Sequence, residues 1–77
     1  MRKTILNLEQ TREMTVDCIK FLLNSLEITE SVFFQSSKHD ETIKKIARSY
    51  PKHTNKMMIT RVVKDSGIRW LGICRRY

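Results

Sequence analysis

Apolar residues along this 77-residue chain return at two different periods, and the change of period divides it into pieces. Between Leu8 and Leu26, the residues Val16, Ile19, Leu22, Leu23 and Leu26 recur at steps of three and four. Glu9, Arg12, Glu13, Asp17 and Lys20 fill the other side. That spacing lays one apolar stripe along a helix. It predicts a single helix over 8–26, with Asn7 or Thr11 capping its start. The preceding RKTILNL reads as a short strand or as a lead-in to the helix. Thr29-Glu30-Ser31 then resets the chain, and SVFFQSS reads as a short helix or turn carrying Phe33 and Phe34.

The segment KHDETIKKIARSY predicts a second helix, with Asp40 as N-cap and Glu41 in the first turn. Ile43, Ile46, Ala47 and Tyr50 form its inward stripe, and Lys44, Lys45 and Arg48 point out. Pro51 is expected to end it, since the residue before a proline avoids the helical region. The last third, TNKMMITRVVKDSGIRWLGICRRY, has two readings. As a helix over 54–65, Thr54 caps the start, Met58, Ile59, Val62 and Val63 share a face, and Gly67 ends it. As a hairpin, MMITRVV and IRWLGICRR are β-branched strands joined by KDSG. Periodicity does not separate the two over so short a stretch, and the helix is taken first. Residues 68–76 read as a strand either way, with Ile68, Trp70 and Cys74 on one face and Leu71 and Ile73 on the other. Trp70 is expected in the core, its sharper alternative being a platform for stacked bases. The strand's partner is RKTILNL in the first reading and MMITRVV in the second.

The expected architecture is therefore α+β: one domain over 1–77, small and mostly helical, with a short C-terminal strand or β-hairpin. Two glycines and one proline leave no stretch that reads as a linker. No run approaches the about 18 apolar residues of a membrane span, and no signal segment is recognisable. Cys18 and Cys74 have no second ligand at metal spacing, so no metal or other cofactor is expected. A cytoplasmic setting is expected, with both thiols free and partly buried and Cys18 inert on its helix.

Charge changes the picture most. The net charge is +7, yet residues 1–37 sum to −1 and residues 38–77 to +8. Such asymmetry favours a polyanionic partner. Catalysis has no comparable support. His39 and His53 sit in polar, turn-like stretches, and neither a glycine-rich phosphate loop nor a nucleophile elbow is present. With the helix reading, residues 41–67 form helix, turn and helix. The second helix would present Asn55, Lys56, Thr60, Arg61 and Lys64 to a major groove, while Lys44, Lys45, Arg48 and Lys52 hold phosphates. Adding a C-terminal strand with Arg69, Arg75 and Arg76 makes the whole resemble a winged-helix domain. Size and charge then fit a small DNA-binding transcription regulator of the kind mobile elements encode, DNA being the partner before RNA. A homodimer would then pair through the first helix at Leu22, Leu23 and Leu26. With the hairpin reading, a basic ribbon tipped by Arg61, Lys64 and Arg69 reads a groove or an RNA. The alternative class is a protein-binding inhibitor or adaptor on a larger enzyme, anchored by Phe33, Phe34, Met57 and Met58.

Overall fold

The computed structural model describes residues 3–53 and 56–77, and the side chains of all of these but 50–53. Its strands are β1 (Lys3–Leu6), β2 (Ser31–Gln35), β3 (Met58–Asp65) and β4 (Ile68–Arg75); its helices are α1 (Leu8–Glu13), α2 (Val16–Asn24) and α3 (Asp40–His53). The strands form one mixed sheet in the order β1-β2-β4-β3, with β1 parallel to β2 and the other pairs antiparallel. Helices lie on one face only. The fold is thus α+β in two layers, and it is neither mostly helical nor winged-helix-like.

The largest departure is at 54–65, expected to be helical. Met58–Asp65 is a strand, paired residue for residue with Ile68–Arg75. Two local causes override the apolar spacing. Ile59, Thr60, Val62 and Val63 are β-branched and lose side-chain freedom in a helix. Ser66 and Gly67 have φ of 52° and 80°, both positive, as a two-residue hairpin turn requires. Of the two readings, then, the hairpin is the one the chain adopts, and MMITRVV is the partner of the C-terminal strand on one side. On its other side β4 pairs with β2, which was expected to be a helix or turn. SVFFQ alternates half-buried and buried positions along its length, so Phe33 and Phe34 leave the strand on opposite faces.

The first helix is two helices. Met14 takes an extended conformation, and Thr15 starts a new helix by accepting the Cys18 amide on its hydroxyl. Asn7 caps α1 as expected, in a reciprocal pair of bonds with Gln10. Asp40 does not cap α3 from outside. It lies in the first turn, and its carboxylate accepts the amide of Ser37. Pro51 does not end α3, which runs to His53. A proline so near the C-terminus costs the helix one hydrogen bond, with few turns beyond it to disrupt. The side chains of Tyr50 and Lys52, and residues Thr54 and Asn55, lie outside the described residues.

The core lies between the layers. Val32 and Phe34 from β2, Leu71 and Ile73 from β4 and Met58 from β3 meet Ile19 and Leu23 from α2 and Ile43, Ile46 and Ala47 from α3. Ala47 is small where the helix meets the sheet. Of the three leucines expected at a dimer seam, Leu23 and Leu26 belong to this core, while Leu22 packs against it and is half-buried. The C-terminal end is held from two directions. The Arg75 carbonyl accepts the Thr29 amide, and the Arg75 guanidinium donates to the Leu26 carbonyl at 2.9 Å. No helix among the described residues is long and apolar enough to cross a membrane.

Candidate functional site: the uncovered face of the sheet

Because side chains alternate along a strand, the residues between the core positions all emerge on the face that no helix covers. From β1 these are Lys3 and Ile5; from β2, Ser31, Phe33 and Gln35. Strand β4 adds Ile68, Trp70, Gly72 and Cys74, and β3 adds Ile59, Arg61, Val63 and Asp65. An uncovered sheet face is ordinarily polar. Here Ile5 is 54% exposed, and Phe33, Val63 and Trp70 are half-buried. This is a mixed aromatic and basic surface, and exposed apolar patches of this kind mark binding sites.

The register fixes its geometry. Ile5, Phe33, Gly72 and Arg61 lie in one row across the four strands, and Gln35, Trp70 and Val63 lie in the next. Phe33 is folded over Gly72: a Cβ on that glycine would stand 2.6 Å from the ring. The Lys3 ammonium lies 5.0 Å from the Phe33 ring centroid, a cation–π contact worth about 0.5–1 kcal/mol at an exposed site. Two depressions flank the ring. One, of about 410 Å³, runs along Ser31, Gly72, Cys74 and Arg76. The other, of about 270 Å³, runs along Lys3, Ile5, Val63 and Trp70. Phe33 and Arg61 line both.

The cations expected to form one surface are divided among several. Arg61 and Arg76 are exposed on the uncovered face, where Lys3 joins them. Lys64 and Arg69 face each other across the tip of the hairpin. Lys44, Lys45 and Arg48 project from α3, on the helical layer, and Lys44 pairs with Glu41 at 3.4 Å. Arg75 and Lys56 are used to hold the chain's own carbonyls, those of Leu26 and Asn24. Thr60 alternates with Arg61 and so lies on the helix-covered side of β3. The expected second helix is not formed over Met58–Asp65: of its supposed reading residues, Thr60 and Lys64 lie on one face of β3 and Arg61 on the other, Lys56 precedes the strand, and Asn55 lies outside the described residues.

Of the anchors considered for a protein partner, Phe34 and Met58 are core, whereas Phe33 is half-open and Met57 is exposed. Cys18 is exposed, contrary to expectation, and is not shielded on its helix; Cys74 is partly buried on the uncovered face, and both thiols are free. A hydrogen bond from Thr15 holds the Cys18 thiol below its ordinary pKa, with Asp17 opposing. Among the described residues no group of His, Cys, Asp and Glu is placed to hold a metal ion. A further depression at the start of α3 is lined by Arg12, Ser36, Lys38 and His39, but the Asp40 carboxylate already occupies the nearby Ser37 amide.

Sequence reasoning did not single out Lys3 or Gly72, and it assigned Phe33 to a different role. No local signal finds them: Phe33 is placed by the strand conformation of SVFFQ, with Val32 and Phe34 inward, and Lys3 and Gly72 by their register against that strand. Comparison with known protein families, curated proteins and solved structures finds no match.

Proposed function

We propose that the uncovered face of the sheet binds single-stranded nucleic acid, and that the chain acts as a binding protein rather than an enzyme. The observation that carries this reading is the pairing of Phe33 and Trp70 on an open face with Arg61 set beside both of the depressions there. Aromatic side chains on a strand platform stack unpaired bases, at about 1–3 kcal/mol per base. Arg61, Arg76 and Lys3 supply the charge that tracks a phosphate backbone. A net charge of +7 steers such a ligand inward from a distance. The cations of α3 then act as general field, not as contacts.

A mobility shift with single-stranded RNA, single-stranded DNA and duplex DNA at two salt concentrations tests this. Single strands are expected to bind best, with affinity falling steeply as salt rises. Arg61→Ala is expected to weaken binding about tenfold, in line with the about 1–3 kcal/mol of a good contact. Lys45→Ala, on the helical layer, is expected to change it less than about twofold. Equal losses from both would move the binding surface to the helices and sink the proposal.

A second reading, docking on a larger protein, rests on α2. Phe21 is 76% exposed there, and Ile28 just beyond the helix is 55% exposed. Nucleic acid that co-purifies with the chain and elutes with salt favours the first reading. Its absence, together with loss of a captured protein on Phe21→Ser, favours the second.

A further inference from the structure

The uncovered face has a definite number of stacking places. Phe33 is directly opposite Gly72, and its ring leans over that glycine because no Cβ stands in the way. Any side chain at 72 pushes the ring off the sheet. Trp70 is two residues along β4 from Gly72 and therefore diagonal to Phe33. Diagonal neighbours on an antiparallel pair lie about 7–8 Å apart, a separation that one extended sugar–phosphate link can span. Arg61 is opposite Gly72 on the far side and lines both the Trp70 depression and the Gly72 depression. Its guanidinium is thus the cation shared by the two aromatic positions.

Resting on the reading above, we infer that this face takes two consecutive unpaired nucleotides. One base stacks on Phe33, the next stacks on Trp70, and Arg61 holds the phosphate between them. Lys3 is the group that leaves. Its ammonium, 5.0 Å over the Phe33 ring in the free protein, gives up the ring to the incoming base and gains a phosphate, a full charge in place of a quadrupole. Stacking accepts every base, so the site discriminates paired from unpaired, not one sequence from another. In a duplex the base faces are already covered by their neighbours.

Trp70 is the chain's only tryptophan, and its emission reports on one of the two places. The full chain is titrated with uridine and thymidine hexamers, with the same backbone carrying no bases, and with a duplex, following both anisotropy of the labelled strand and Trp70 emission. The single strands are expected to bind and to quench the emission severalfold. The abasic strand and the duplex are expected to bind at least about tenfold more weakly, the fold-change of one lost stack. Phe33→Leu and Gly72→Ala are each expected to weaken the single strand by about the same factor, and Arg61→Gln to lower the salt slope by about one. Equal affinity for the abasic strand overturns the two-base site while leaving nucleic-acid binding intact. So does emission that stays constant as the strand binds, and both readouts use the unaltered chain. Failure of every nucleic acid to bind removes the proposed function itself.

Discussion

Val32 and Phe34 leave β2 on one side and are fully buried; Ser31, Phe33 and Gln35 leave the same five residues on the other and stay half-open. The contrast repeats on β4, where Leu71 and Ile73 are buried under the helices and Trp70 and Cys74 are not. One backbone therefore carries two surfaces with different physical tasks. The covered face supplies most of the sheet's share of the core, where area removed from water stabilises by roughly 25 cal/mol per Å². The uncovered face keeps aromatic rings and cations in reach of solvent at little benefit to folding. Two phenylalanines adjacent in sequence make the comparison directly testable, since they have the same chemistry and opposite burial.

The largest effect is expected from Phe34→Ala. Removing a wholly buried ring costs about 3–5 kcal/mol, out of the about 4–12 kcal/mol available to a chain this long. Phe33→Ala is expected to cost less than about 1 kcal/mol. Denaturant midpoints of the two variants decide the matter, and equal losses would mean that the uncovered face is covered in solution. Next comes Gly67→Ala. At φ 80° a Cβ costs about 1–2 kcal/mol, and it weakens the turn that sets which residues of β3 and β4 face which side. Thermal unfolding measures the loss, and an unchanged midpoint would rule out the positive-φ turn.

A smaller effect is expected from Gly72→Ala. The added methyl group meets the Phe33 ring, which is a side chain free to move, so the cost stays below about 1 kcal/mol. In a Phe33→Ala background that cost is expected to vanish, and a double-mutant cycle reads the coupling. Additive effects would show that the ring does not lie over the glycine. The smallest expected change is in thiol chemistry. An oligonucleotide on the uncovered face is expected to slow alkylation of Cys74, which lines it, and to leave exposed Cys18 untouched. Because its hydrogen bond from Thr15 lowers the Cys18 pKa, more of that thiol is thiolate at a given pH. Thr15→Ala is expected to move its alkylation profile to higher pH. A profile that stays in place would remove Thr15 as the cause.

What was legible followed the reach of each signal along the chain. Some local signals held: the Asn7 cap, a helix starting near Asp40 and a strand at 68–75 depend on neighbours within a few residues, whereas that helix runs past the expected stop at Pro51 and the hairpin turn at Ser66-Gly67 was only the second reading of its stretch. The break at Thr15 was hidden because α1 carries one apolar residue, Leu8, too few to set a phase apart from that of α2, whose start the Thr15 hydroxyl caps. SVFFQ was too short to display its period of two. It becomes a strand only because β1 and β4 lie on either side of it, and neither partner is near it in sequence.

The candidate site shows the same division more sharply. The sequence alone established an excess of cations in the second half of the chain. It did not establish that the cations would gather, and they do not: α3, the hairpin tip and the uncovered face each take some. Pairing across four strands decided that Lys3, from the less basic half, would join Phe33, Trp70 and Arg61. The physical reason is that charge and propensity belong to residues one at a time, whereas a face belongs to a register. Register is set by hydrogen bonds and burial between segments that only the folded chain brings together.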